Sequence, residues 1–291
     1  MLEQLIDLGL ASRDTVELYA DRCRDKEVPV YIDKVSGVIF LMDEKDVAYY
    51  SDKEVENDGF TSKSVTPLGE IKTETLDDSE RRFNQFRHLT RQKKVCDFGT
   101  GHGLYLDLLC HDAKLACGVE PNKQAQDSIR ARLGSKVVLA EAIDELDETF
   151  DVITCFHVLE HLQDPIGILQ ALKRRLAPGG VLVVEVPHAS NFLLKQLDCE
   201  PFRKFTLWSE HLILHTRHSL ERTLEAGGFP QVTIQGFQRY GLENQLYWLK
   251  EGKPGGHKHW AELRDDALNA AFGRFLAEID QTDTLIALAR A

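Results

Sequence analysis

From residue 93 onward, short apolar runs alternate with amphipathic stretches. The runs "KKVCDF", "LACGVEP" (115–121), "KVVLAE" (136–141), "TFDVITCF" (149–156) and "VLVVEVP" (181–187) are short and rich in β-branched residues, as strands are. Residues 102–111, "NKQAQDSIRARLG" (122–134) and "PIGILQALKRRLAPGG" (165–180) read as helices. The second of these closes at Gly134 and the third in a Pro-Gly-Gly turn. Strands this apolar, interleaved with helices, predict a parallel sheet covered on both faces. Right-handed crossovers make it a doubly wound α/β layer. Further on, "RHSLERTLEAGGF" (217–229) predicts a helix ended by two glycines, and "QVTIQGFQRY" (231–240) and "TDTLIALARA" (282–291) predict strands. Residues 242–281 lie between those strands as an insertion, turn-rich at "KEGKPGGH" and helical in its second half.

The N-terminal part has a different rhythm. Residues 1–24 carry apolar positions at helical spacing, and "VPVYIDKVSGVIFLM" (28–42) predicts two strands joined by a turn at Lys34–Gly37. Residues 43–75 are polar and predict a loop, whereas "DDSERRFNQFRHLTRQ" (77–92) predicts a helix capped by Asp78 or Ser79. The expected organisation is an N-terminal appendage over 1–75, with a β-hairpin, and a main α/β domain over 76–291.

Composition narrows the classes. The 291 residues are 43% hydrophobic, enough for a substantial core. A net charge of −12 and a pI of about 5.4 weigh against nucleic acid or an anionic membrane as partner. No run reaches the length of a membrane span, and "MLEQLIDLGLASRD" lacks the form of a signal peptide, so a cytoplasmic protein is expected. The six cysteines show no metal-binding spacing and read as reduced, buried thiols.

The chemistry is concentrated in "VCDFGTGHGLYLDLLC" (95–110). Gly99, Gly101 and Gly103 follow a strand that ends near Asp97. Glycine there lets backbone amides approach a ligand closely. Glu120, at the end of the next strand, lies 23 residues after Asp97, where a carboxylate can accept from two ribose hydroxyls. The Gly-x-Gly-x-Gly spacing departs from the Gly-x-Gly-x-x-Gly of dinucleotide oxidoreductases.

"DFGTGHG", "GVEP", "FDVITCFHVLEHLQDP" and "LKRRLAPGGVLVVEVP", in this order, resemble the motifs of class I S-adenosylmethionine-dependent methyltransferases over about 80–240. The resemblance implies a seven-stranded, mostly parallel, Rossmann-like sheet whose last strand is antiparallel, and S-adenosylmethionine as cofactor. It places Asp97 near the methionine amino group, Gly99, Thr100, Gly101 and Gly103 along the methionine and ribose, and Glu120 on the ribose hydroxyls. Glu141 and Ala142 fall at adenine, and Phe156 and His157 beside the methionine portion.

"WSEHLILHTRHSLERTLEAGGF" (208–229) resembles a run in methyltransferases of deoxysugar and cell-surface polysaccharide pathways. That resemblance makes Glu210 and His211 the leading catalytic pair, with His161 of "LEHLQDP" a further candidate and His188, after strand five, another. The group has a tyrosine two residues before its Glu-His pair; here Trp208 stands instead, an indole that can only donate, which favours methylation at oxygen over carbon. The N-terminal hairpin resembles that of a cysteine-rich zinc module, but Cys23 is the only cysteine before residue 96, so no metal is expected. The expected acceptor is a sugar nucleotide or polysaccharide-linked sugar. Two alternatives stand beside it: a phenolic or quinone-type acceptor, and a non-catalytic S-adenosylmethionine-binding partner protein. Homo-oligomerisation is left open. Tyr240, Tyr247, Trp248 and His257 offer aromatic surface to an acceptor or to the core.

Overall fold

The computed structural model describes residues 1–42 and 73–290. The loop expected over 43–75 therefore lies mostly outside the described residues. At the N-terminus are helix α1 (Leu2–Asp7) and strands β1 (Val16–Ala20), β2 (Val30–Asp33) and β3 (Ile39–Leu41). Helix α2 (Thr73–Thr90) leads to β4 (Lys94–Phe98), α3 (Leu104–Leu109), β5 (Leu115–Val119), α4 (Lys123–Leu133), β6 (Val138–Ala140), β7 (Phe150–Phe156), α5 (Pro165–Arg174) and β8 (Leu176–Pro187). Then come α6 (Phe192–Lys195), α7 (Glu200–Thr206), β9 (Ile213–Leu214), α8 (Arg217–Ala226), β10 (Gln231–Phe237), α9 (Leu242–Glu251), α10 (Gly256–His259), α11 (Asp266–Glu278) and β11 (Thr284–Arg290).

Seven strands form the main sheet in the order β10-β11-β8-β7-β4-β5-β6. The pairs β5–β6, β4–β5, β4–β7 and β7–β8 are parallel, and β11 runs antiparallel to both β8 and β10. This is the expected doubly wound sheet with its last strand reversed.

Alternation along the central strands divides the core into two layers. Val152, Val183 and Ile286 face one side, with Leu106, Leu109 and Ile129. Ile153, Val184 and Leu285 face the other, with Leu169, Leu172 and Leu220. All eleven of these residues other than Val152 are at most about 1% exposed. Each stabilises the fold by roughly 1.5–3 kcal/mol relative to exposure. The covering helices carry local stop and start signals. The Asn122 side chain accepts from Ala125 N at 2.9 Å, Asp164 accepts from Gly167 N at 2.8 Å, and Thr216 and Ser219 form a capping box.

The second sheet has the order β1-β2-β3-β9. The hairpin of residues 28–42 is present, with Gly37 at φ +72° in its turn. β3 pairs with β9 through Ile39–Leu214 and Phe40–Ile213. Thus the N-terminal strands grip the segment that follows His211.

Several local expectations change. Helix covers only Leu2–Asp7 of residues 1–24, and 16–20 form an edge strand. The helix expected from 77 begins at Thr73, so Asp78 and Ser79 lie inside it, and Asp78 is spent on Arg239. The helix expected over 165–180 stops at Arg174. Leu176 already pairs with Phe150, and Ala177–Gly180 bulge out before Val181 pairs with Val152. In the insertion, the first half is helical too.

Candidate active site

The carboxyl ends of β4, β5, β7 and β8 gather the glycine loop, two carboxylates and a buried charge network. Gly99, Gly101 and Gly103 have φ of +76°, +56° and +69°, all left-handed. A Cβ on Gly99 would stand 2.3 Å from Val158 Cγ2, and one on Gly103 2.7 Å from Ile129 Cγ1. Glycine is required twice over at those positions, by conformation and by space.

Asp97 is buried at the end of β4, and its Oδ1 accepts from Thr154 Oγ1 at 2.7 Å. Burial pushes its pKa up, against the pull of the Thr154 and Thr100 hydroxyls and the Arg82 charge. Glu120 is buried just past β5. Its Oε2 accepts from Gly101 N at 2.8 Å and its Oε1 from Asn122 N at 3.0 Å. One carboxylate thereby ties the glycine loop to the start of α4. Burial raises its pKa, against those two amides. Each oxygen retains further acceptor capacity. Glu141 and Ala142 are exposed just beyond β6. Phe156 is buried, stacked on Phe86 at 5.7 Å and edge-on to Tyr105 at 5.2 Å, with the Arg82 guanidinium 4.9 Å above it.

His157 occupies the left-handed region at φ +55°, rare for a side chain of this size. Its amide donates to Glu185 O at 2.8 Å. Its Nδ1 lies 3.2 Å from Glu160 Oε1 and its Nε2 3.2 Å from Glu185 Oε1. Burial alone would lower its pKa, but the hydrogen bonds to Glu160 and Glu185 outweigh it, and the net shift is upward. Two carboxylates thus clasp the ring and favour its protonated form.

Glu185 is fully enclosed, yet Arg81 Nη2 and Arg82 Nη2 each reach its Oε1 at 2.8 Å. Those charges, with His157, hold its carboxyl well below the usual range despite burial. Arg239, after β10, pairs with Asp78 of α2, while its main-chain N donates to Asp283 at 3.0 Å. Sequence reading passed over Arg81, Arg82, Glu185 and Arg239. The available signal was Glu185 itself, a lone charge inside the apolar run "VLVVEVP".

The candidate histidines His161, His211 and His188 fall in two places. His161 and His211 come together, with ring centroids 5.0 Å apart and Trp208 edge-on to both at 5.9 and 5.2 Å. His161 Nδ1 donates to Glu210 O at 2.7 Å. Glu210 thus reaches this cluster through its main chain. His188 and His215 are instead buried in a separate bridge between β8 and the start of α8. Burial lowers each pKa to about 4. Tyr247 and Trp248 are also packed away, against Trp260 and Phe202.

A family model described as "Methyltransferase domain" matches residues 73–234, more than half of the chain. The chain belongs to this methyltransferase family. The match covers β4 to the middle of β10 of the main sheet, and S-adenosylmethionine is the cofactor. The loop fits that cofactor: three left-handed glycines present backbone rather than side chains, beside a buried carboxylate with acceptor capacity. Among solved structures, a putative methyltransferase of Haloferax volcanii in complex with the Trm112 methyltransferase activator is 15% identical, with TM-score 0.50, over 75% of this chain and 94% of that one. A SAM-dependent methyltransferase from Archaeoglobus fulgidus is 16% identical, with TM-score 0.49, over 74% of this chain and 94% of that one. Among curated proteins, the ubiquinone biosynthesis O-methyltransferase of Pseudomonas fluorescens Pf0-1 is 30% identical over 98 residues, 30% of this chain and 41% of that protein. The methyltransferase thus spans about two fifths of the length of the curated relatives it matches.

Proposed function

We propose that this methyltransferase transfers a methyl group from S-adenosylmethionine to a hydroxyl of a polar small molecule, with a sugar nucleotide or glycan-linked sugar as the best fit. Bound S-adenosylmethionine supplies a methyl already activated by a sulfonium. Asp97, Gly99, Thr100, Gly101, Gly103 and Glu120 would hold it, with Glu141, Ala142, Phe156 and His157 around its ends. The protein's own task is then to orient the acceptor and manage its proton.

The single observation that carries the polar acceptor is the set Arg81, Arg82, Arg239 and Asp78. These charged side chains border the strand ends while keeping 13–22% of their surface exposed. A charged rim suits a hydroxyl-rich acceptor better than an apolar one. His161, His211 and Glu210 are the residues assigned to the hydroxyl. His161 Nδ1 is committed to Glu210 O, so its Nε2 is the ring atom that can reach the hydroxyl.

One observation favours a second reading, a phenolic or quinone-type acceptor: the 30% identity to a ubiquinone biosynthesis O-methyltransferase. A methyl-transfer assay on paired panels of sugar nucleotides and catechols separates the two. Turnover confined to the sugars supports the first reading, and turnover confined to the catechols replaces it.

A further inference from the structure

We propose that Glu160, His161 and His211 form a binding site for a divalent transition-metal ion, with zinc the best match to the donor set. This rests on the reading of the domain as a hydroxyl methyltransferase. It departs from the expectation of no metal, which considered cysteine spacing alone.

The three residues each bring one ligand atom, and these atoms lie within 4.8 Å of one another. Ligands about 2.0–2.2 Å from one ion stand no more than about 4.4 Å apart, so side-chain shifts below ~1 Å close the site. Two histidines and one carboxylate with an open position are a donor set used for catalytic zinc. The surroundings match as well. A ligating histidine ordinarily donates its other ring N–H to a carbonyl or carboxylate. His161 does so, to Glu210 O at 2.7 Å, and its Nε2 lies 3.9 Å from Glu160 Oε1.

Glu160 gives a second, independent pointer. It is fully enclosed, and its Oε1 is engaged by His157 while its Oε2 makes no hydrogen bond. That second oxygen keeps its acceptor capacity beside the two histidines. The backbone also holds the ligands in register. Leu212 N donates to Glu160 O at 2.8 Å, and His211 N donates to Trp208 O at 2.9 Å. The ligands at 160–161 and at 211 are 50 residues apart in sequence, yet they sit on two cross-linked turns.

An ion in this position takes the acceptor hydroxyl as its remaining ligand and lowers its pKa. The hydroxyl O–H bond breaks, and the proton passes to solvent. The oxygen's electron pair then forms the new O–CH3 bond. The C–S bond electrons stay on sulfur, which leaves as the neutral thioether of S-adenosylhomocysteine. His161 and His211 are thereby metal ligands in place of a free general base.

The test uses the full chain stripped of metal by a chelator. Zn2+ titration by calorimetry is expected to give one tight site per chain. Co2+ is expected to give the visible absorption of a four- or five-coordinate ion. His161→Ala and His211→Ala should each weaken Zn2+ at least about 10–100-fold, the loss seen even for outer-shell changes. His111→Ala should change nothing. That control matters because Asp107, Cys110 and His111 form a second, more exposed cluster of potential ligands. The Co2+ spectrum of the unsubstituted protein needs no variant, so misfolding of a variant cannot mask the answer. Absence of a 1:1 Zn2+ site and of the Co2+ bands overturns the proposal, as does zinc lost in His111→Ala and kept in His211→Ala. S-adenosylmethionine binding, measured separately on the metal-free protein, reports on the underlying methyltransferase reading. Its failure with Zn2+ still bound would sink that reading and leave the metal site standing.

Discussion

Arg82 donates from Nη2 to Glu185 Oε1 at 2.8 Å, and Glu185 has no solvent exposure at all. A charge so enclosed is tolerable only while its partners remain. Glu185→Ala should therefore strand Arg81, Arg82 and His157 and destabilise the fold by about 3–5 kcal/mol. Urea denaturation measures it. Arg81→Ala should cost less, since Arg82 and His157 still contact the carboxylate.

Gly99→Ala should abolish cofactor binding and lower stability. The new Cβ meets Val158 Cγ2 at 2.3 Å and forces alanine to φ +76°. Overpacking of this kind costs about 1–3 kcal/mol, with backbone strain in addition. Adding Val158→Ala should recover part of the stability, because it relieves the clash and leaves the strained φ. Thermal denaturation of the single and double variants checks the ordering.

Acid should weaken the fold through His188 and His215. Their folded-state pKa is depressed to about 4, so both are neutral in the folded protein at neutral pH. Below the unfolded value near 6.5 the unfolded chain takes up protons that the folded one refuses. Stability is therefore fully present above about pH 6.5 and falls by roughly 1.4 kcal/mol per pH unit per histidine down to about pH 4. His188 faces Thr282 O, Asp280, Arg217 and Lys195, and His215 faces Ser219 and, at longer range, Glu160. His215→Gln should lower stability at pH 7 yet remove about 2 kcal/mol from the further loss between pH 7 and 5. Urea titrations at the two pH values give the difference.

The sheet was legible because its strands are apolar on both faces and its helices carry their own caps, as at Asn122 and Asp164. The glycine loop and Glu120 were legible because they are local, within one β-α-β unit. The charge network was not. Arg81 and Arg82 come from α2, Glu185 from β8 and Arg239 from beyond β10, and only the sheet order brings them together. The same holds for His161 and His211, which sequence reading nominated singly. Their pairing depends on β9 joining the N-terminal sheet. Residues 1–24 misled because strand β1 lies at a sheet edge with an irregular exposure pattern, which blurs its period.

Isothermal titration of S-adenosylmethionine into the unsubstituted protein and into Glu120→Ala tests the central claim most directly. Glu120 joins Gly101 N to Asn122 N and is the carboxylate proposed to accept from the ribose hydroxyls. Losing a charge-assisted bond of about 1.5–3 kcal/mol predicts affinity at least about tenfold weaker in the variant. The account predicts stoichiometric binding to the unsubstituted chain and that loss in Glu120→Ala. No binding to the unsubstituted chain, or equal binding to both, would contradict it.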